Sequence, residues 1–400
     1  MKLNICSILS EQFVPTMPAR TEITEIYGNY MAKFGHRSTW IAPSTMGSLK
    51  VRKEIFNNIP VYITPTHIIV ILFDKICSLF KKHNLIVNTL KKEQIDIIQV
   101  EDRTLDGVLA IWIKKKYKIP FVFQYSFPAD MYKELSLSDP TFYYSIVRSC
   151  LIKYIFRKAD LIFPISKWME SELACKGIPK MKMMVLPMGV NHELFSPQSN
   201  NGTTILKRYN LGNSPVIIYV GEISRMRQID LVIRAFSIIK QHKNTAKLLM
   251  VGTGNDKLRL EELSAKLQVS DGVIFTGQVP YFDVPNYIAA ADVCLSPIRP
   301  LPIYKVSSPT KLFEYMAMEK PVVANKEIPE HQEVLEESRG GVLVPFEPST
   351  FAEGVMELLN DHERAKEMGN RGRKWVIGNR SYEILARRVE NRYFKLLAKK

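Results

Sequence analysis

The apolar residues of the chain fall into short unbroken runs separated by longer stretches with helical spacing. In the second half, Val216-Ile217-Ile218-Tyr219-Val220 is continuously apolar, the pattern of a strand covered on both faces. A turn follows, and then residues 231–239 repeat their apolar positions as a helix does. Residues 247–251, 273–275, 293–295 and 321–324 predict further strands, with a helix over 257–267. In the first half, residues 4–9, 38–42, 95–100, 121–124 and 161–165 predict a second set of strands. Strands alternating with helices of this length form parallel, doubly wound sheets, so the fold class is α/β.

Four hundred residues exceed what one core usually organises, which favours two domains. The stretch Pro197-Gln198-Ser199-Asn200-Asn201-Gly202-Thr203-Thr204 is polar and turn-rich, and it places an N-terminal domain at 1–195 and a second at 196–378. Residues 379–400 form a last helix with Ile384, Leu385, Val389, Tyr393, Leu396 and Leu397 as its apolar side.

Composition narrows the picture. With 46% apolar and 24% charged residues the chain is expected to fold as a soluble protein. The cysteines (Cys6, Cys77, Cys150, Cys175, Cys294) are scattered and odd in number, which fits free thiols in a reducing compartment. The apolar start is too short for a signal peptide, and the greasy stretch from Ile68 to Phe73 stops at Asp74-Lys75. A cytoplasmic protein is expected. The net charge of +15 is spread over both halves and suits phosphate-bearing ligands, an anionic membrane surface or nucleic acid. Lys114-Lys115-Lys116-Tyr117-Lys118 reads as a solvated helix end, and with no binding module beside it nucleic acid is not expected. Residues 143–158 contain no acid and read as an amphipathic helix. Ser145, Ser149, Lys153 and Arg157 lie on one face, and Ile146, Val147, Cys150, Leu151, Tyr154 and Ile155 on the packed one. Packing on its own sheet is the plainer role of such a helix; peripheral contact with a membrane is the other.

In an open parallel sheet, ligands bind where strands end and helices begin. Three such loops in the second half carry candidate chemistry. After the strand 216–220 come Gly221, Glu222, Arg225 and Arg227, where guanidinium groups at a helix start suit phosphate; a solvated basic turn is the alternative. Gly252 and Gly254 lie in a strand-to-helix turn that lacks the third glycine of a dinucleotide fingerprint. Ser308, Pro309, Thr310, Lys311, Leu312 and Glu314 open a helix whose free amides can receive a diphosphate. Glu314 lies about one turn inside, where its carboxylate can accept both ribose hydroxyls or simply favour the helix dipole. No Asp-x-Asp pair appears and the histidines lack metal-ligand spacing, so no metal is expected; His331 beside Glu333 reads as part of a surface helix.

Taken in order, these loops and the passages Ala159 to Ser166, Val185 to Phe195, Phe275 to Pro280, Ala289 to Val293 and Lys311 to Ala324 resemble glycosyltransferase family 4. The resemblance covers nearly all of the second half and part of the first, and includes the family's Phe-Glu-Tyr-Met pattern at Phe313 to Met316. It implies the GT-B fold, two Rossmann-like domains facing across a cleft with the C-terminal helix crossing back to the first. It implies transfer of a sugar, with retention, from a nucleoside-diphosphate sugar (UDP or GDP) to a hydroxyl acceptor, a glycan or lipid-linked precursor. No cofactor beyond that co-substrate is implied. Arg227 and Lys311 would carry the catalytic charge, Gly221 would let the donor phosphates approach, Gly277 and Val279 would border the base, and Glu314 would hold the ribose. The loop Pro15 to Arg20, with Pro15, Thr16, Met17 and Pro18 in it, would help shape the acceptor side together with Ser126. Four positions depart from the family: Glu222 replaces an arginine, Gln228 a glycine, Val306 a first glutamate, and the loop after residue 123 lacks a histidine. These departures leave a rival, a non-catalytic sugar-nucleotide-binding subunit of an active partner. A sugar-nucleotide epimerase of the same fold lacks support in the loops.

Overall fold

A computed structural model describes residues 2–12, 20–44, 51–64, 72–128 and 141–398. The chain divides into one unit formed by Met1–Pro187 with Tyr382–Lys400 and another formed by Met188–Ser381. The division lies ahead of the polar stretch 197–204, not at residue 195, and the return falls after 381, not 378. The reason is local bonding. The Val190 amide donates to the Arg380 carbonyl at 2.9 Å, and Arg373 donates to the Phe195 carbonyl at 3.1 Å, so residues 188–196 belong with the second unit. The acceptor-side residues Pro15, Thr16, Met17 and Pro18 lie outside the described residues.

The first unit holds β1 (Asn4–Ile8), β2 (Arg37–Pro43), β3 (Arg52–Phe56), β4 (Ile59–Thr64), β5 (Ile97–Glu101), β6 (Phe121–Tyr125) and β7 (Leu161–Pro164), in the order β3-β4-β2-β1-β5-β6-β7. All neighbours are parallel except β3 with β4, a hairpin turned by Asn57 and Asn58 at φ 47° and 65°. The helix Tyr382–Leu397 belongs to this unit: Leu385, Ala386, Val389 and Tyr393 are fully buried in its core with Tyr27 and Trp40. The Tyr393 hydroxyl also donates to Gln99 on β5.

The second unit holds β8 (Val216–Val220), β9 (Lys247–Val251), β10 (Val273–Gly277), β11 (Val293–Ser296), β12 (Val322–Asn325) and β13 (Gly341–Val344), in the order β10-β9-β8-β11-β12-β13, all parallel. The helices Asp230–His242 and Pro348–Asn360 cover it with Ile233, Phe236, Phe351 and Val355. In each sheet the order reverses at the first strand of the unit. The reversal puts a crevice beside the carboxyl ends of β1 and β5, and another beside those of β8 and β11, where such sheets bind ligands.

The helix Thr141–Lys158 corrects the expected faces. Ile152, Ile155 and Phe156 are buried, whereas Val147, Cys150 and Tyr154 are exposed. Apolar residues occur almost all round this helix, so spacing alone does not choose a side. The choice is made by Gly107, at which an added Cβ would lie 2.8 Å from Ile155 Cδ1. Among the described residues no helix is long and apolar enough to cross a membrane.

Candidate functional site

In the second unit, β8 ends at Gly221, whose φ of 148° and missing side chain leave open the mouth of the crevice. A Cβ there would lie 2.9 Å from Lys311 Nζ and 3.1 Å from the Tyr219 hydroxyl. Lys311 comes from the opening turn of the helix Thr310–Ala317, which starts without a side-chain cap on its amides. Its ammonium sits 4.1 Å from the centre of the Tyr219 ring. Arg227 lies over the Tyr304 ring at 4.8 Å and pairs with Glu222 at 3.3 Å. Burial and then the Arg227 charge pull the Lys311 pKa down to about 7, since both disfavour another cation. Glu314, one turn on, is 5% exposed, and burial raises it to about 7 against a hydrogen bond from Tyr281 and the Lys311 charge. Lys311 thus stands over a glycine at the uncapped start of a helix, with the Arg227 charge and a buried carboxyl acting on it, a set of groups complementary to a ribosyl diphosphate.

The other expected residues of this unit take varied places. Arg225 is largely exposed and lies 3.5 Å from Asp256, which Arg259 also binds. Gly252 and Gly254 fit the loops together: a Cβ on either would lie 2.0 Å from the carbonyl oxygen of Gly221 or Ile223. Gly277, at φ 75°, receives the Gly252 amide on its carbonyl at 3.0 Å, and half-buried Val279 follows it. The Ser308 hydroxyl accepts from the Met188 amide and donates to Glu330, each at 3.0 Å, and Pro309 precedes the helix. Thr310 is half-buried, while the Leu312 side chain is fully buried and its amide donates to the Pro309 carbonyl at 3.1 Å. Val306 is buried, a position fit for an apolar side chain rather than an acid. His331 is not on the surface: it is fully buried between Ser296 Oγ at 3.0 Å and the Asn325 carbonyl at 3.1 Å, with its pKa lowered to about 3 by desolvation. Sequence reasoning missed Tyr219 and Tyr304, because nothing in spacing shows that a strand tyrosine and a tyrosine of the short helix Pro302–Lys305 lie beneath the two cations.

The first unit's crevice holds a second group, in which Arg20, the end of the acceptor-side loop, and Ser126 were expected, whereas Glu22, Glu101 and Asp102 were missed. Arg20 donates to Ser126 Oγ at 2.8 Å, pairs with Glu22 at 2.8 Å and with Glu101, and lies 3.6 Å from Asp102. Asp102 accepts the Ser126 and Phe127 amides at 2.7 and 3.2 Å. Burial outweighs Arg20 and raises Glu22 to about 7 and Asp102 to about 6. The one available signal was Glu101-Asp102, two acids ending an apolar strand at the switch point. Among the described residues no three His, Cys, Asp or Glu side chains come together as a metal site.

Two parallel-sheet α/β units, each with a polar crevice at its switch point, define the GT-B class. Solved structures agree on the fold: sucrose-phosphate synthase from Thermosynechococcus elongatus superposes with a TM-score of 0.79 at 20% identity over all of both chains, and a glycosyltransferase from Rickettsia africae with 0.74 at 19%. Residues 203–375 match the family model described as glycosyl transferases group 1, and residues 26–194 match that described as glycosyltransferase family 4. The chain belongs to this glycosyltransferase family. A GDP-mannose-dependent alpha-(1-6)-phosphatidylinositol monomannoside mannosyltransferase of Mycolicibacterium smegmatis is 28% identical over 57% of this chain and 60% of its own. The alpha-monoglucosyldiacylglycerol synthase of Streptococcus pneumoniae is 26% identical over 52% and 47%. The matches therefore span about half to three fifths of these relatives' length.

Proposed function

We propose that the protein transfers a sugar, with retention, from a nucleoside-diphosphate sugar bound in the second unit to a hydroxyl acceptor, a glycan or lipid-linked precursor. The observation that carries this reading is Lys311 standing over Gly221, with Arg227 near enough for its charge to act on Lys311 and with buried Glu314 one helical turn away. In the reaction the bond from the anomeric carbon to the diphosphate oxygen breaks, and the acceptor oxygen bonds to the same carbon. The acceptor proton leaves on the departing diphosphate, so no protein carboxylate is required as base. Charge growing on the leaving oxygen is met by Arg227, Lys311 and the amides at the start of the helix Thr310–Ala317. Lys311 is poised to take up its proton as the dianionic group arrives, because its pKa near 7 rises beside negative charge. Glu314 holds the ribose hydroxyls. The tyrosine rings hold the two cations in place while leaving their charge available to phosphate. No resident cofactor and no divalent metal are needed, since protein cations neutralise the diphosphate.

On the acceptor side, Arg20, Glu22, Asp102 and Ser126 offer donors and acceptors suited to a hydroxyl-rich head group. Two of the similar proteins carry lipid acceptors in their names, and together with the basic charge this supports work at the inner face of the cell membrane from the cytoplasm. A second reading, a sugar-nucleotide-binding subunit without its own catalysis, is favoured by one contact: Glu222 pairs with Arg227 at 3.3 Å. Sugar release or transfer by the purified protein in chelator, from GDP- and UDP-sugars, separates the two. Turnover in chelator supports the enzyme. Binding without turnover supports the subunit, and turnover only with added metal removes the proposed means of neutralising the diphosphate.

A further inference from the structure

Two helices of the first unit turn an apolar, cation-fringed face to solvent. The helix Thr104–Tyr117 follows β5 and the helix Thr141–Lys158 follows β6, and successive crossovers through β5, β6 and β7 place both on one side of the sheet. They touch where Gly107 meets Ile155, so their outer surfaces are continuous. Against the protein they bury Ala110, Ile111 and Ile113 from one helix and Ile152, Ile155 and Phe156 from the other. On the outside, Leu105 is 45% exposed, Trp112 42%, Val147 57% and Tyr154 39%. Leu105 and Trp112 are two turns apart on one helix, as are Val147 and Tyr154 on the other, so each pair forms a stripe and not a scatter.

The exposed charges on the two helices themselves are all cations, and the nearby acid Asp160 is paired with Lys114 at 2.6 Å. Lys115, Lys116, Lys153, Arg157 and Lys158 are exposed beside them. The Lys116 ammonium lies 4.7 Å from the Trp112 ring centre, and that of Lys158 lies 5.9 Å from the Tyr154 ring centre. The sole acid in either helix, Asp106, is buried and bound by Lys82 at 2.9 and 3.0 Å. A folded partner is a poor match for this face, because lysines are depleted in protein interfaces. Trp and Tyr with one apolar side, fringed by long cations whose stems lie along it, suit the boundary between lipid tails and anionic headgroups.

We propose that the paired outer faces of the 104–117 and 141–158 helices lie on an anionic lipid bilayer, with Trp112 and Tyr154 in the headgroup layer and the cations over lipid phosphates. Leu105 stands three residues beyond Asp102, so the apolar end of the face adjoins the crevice of Arg20, Asp102 and Ser126. A membrane-borne hydroxyl would reach that crevice over a short path. The proposal deepens the peripheral location given above, and it is tested without sugar transfer, so either can fail alone.

The test uses the full-length protein with vesicles of phosphatidylcholine, with and without phosphatidylglycerol. The expected result is at least tenfold stronger partition onto the anionic vesicles, weakened by salt, with a blue shift of tryptophan emission that Trp112→Phe largely removes. Lys116→Glu with Lys153→Glu, and separately Trp112→Ser with Tyr154→Ser, should each reduce partition at least tenfold, while Trp168→Ser on another helix leaves it unchanged. Equal binding to both vesicle types overturns the proposal, as does unaltered partition in the folded variants. Should a double variant fail to fold, the single Trp112→Phe decides: an emission shift that survives it places the contact elsewhere.

Discussion

Arg227 and Lys311 rest on tyrosine rings, and Arg227 is held in addition by the Glu222 carboxylate at 3.3 Å. A ring attracts a cation more weakly than a carboxylate does, and it leaves the charge free for an incoming anion. Arg227→Ala should lower kcat by on the order of a hundredfold with a smaller change in donor KM, because the contact strengthens as the diphosphate departs. Arg227→Lys should restore part, and Tyr304→Leu should move kcat the same way by less; parent-rate turnover in folded Arg227→Ala removes it from the mechanism. Glu314 gives a stability test. Its pKa is raised to about 7 from an ordinary 4.5, so the folded protein binds this proton more tightly than the unfolded chain does. The stabilisation is complete below about pH 4.5 and is lost as pH rises through about 7. Glu314→Gln, which cannot ionise, should therefore gain on the parent by on the order of 2–3 kcal/mol between pH 5 and 8. Parallel denaturation curves across that range would contradict the buried, protonated acid.

At the scale of elements, the strands buried on both faces were legible. The run 216–220 is bounded by Pro215 and Gly221, and β8 occupies those residues; β9 likewise matches its apolar run. The hairpin of β3 and β4 was not legible, because Arg52-Lys53-Glu54 gives an edge strand no apolar signature. β13, Gly341-Val342-Leu343-Val344, was also missed. The helix Thr141–Lys158 was legible as a helix, but its face depended on Gly107, far away in sequence. The site divided in the same way. Gly221, Arg227, Lys311 and Glu314 follow from loops at strand ends, whereas the Arg20, Glu22 and Asp102 group joins residues some 80 positions apart. Gly252 shows how the loops depend on one another. Its φ of 139° and the 2.0 Å from an added Cβ to the Gly221 carbonyl leave no room for a side chain. Gly252→Ala should displace the Gly221 loop and weaken nucleoside-diphosphate binding at least tenfold; a variant with parent affinity would show that the two loops are not coupled.

Across the whole molecule, cations take several settings. In the second unit Arg227 and Lys311 lie against tyrosine rings at the crevice, and in the first Arg20 sits among acids while lysines and arginines fringe an apolar helix face. Each unit places a buried acid, Glu22 in the first and Glu314 in the second, beside the switch point of its sheet, where the fold itself opens a crevice. The second unit is proposed to bind a nucleoside diphosphate through Lys311, Arg227 and Glu314. Calorimetric titration of GDP and of UDP into the parent and into Glu314→Gln tests it most directly. One of the two nucleotides should bind without metal, and the variant should bind it about tenfold more weakly, the scale of one lost charged hydrogen bond. Absence of binding by both nucleotides, or equal affinity in a folded Glu314→Gln, would contradict it.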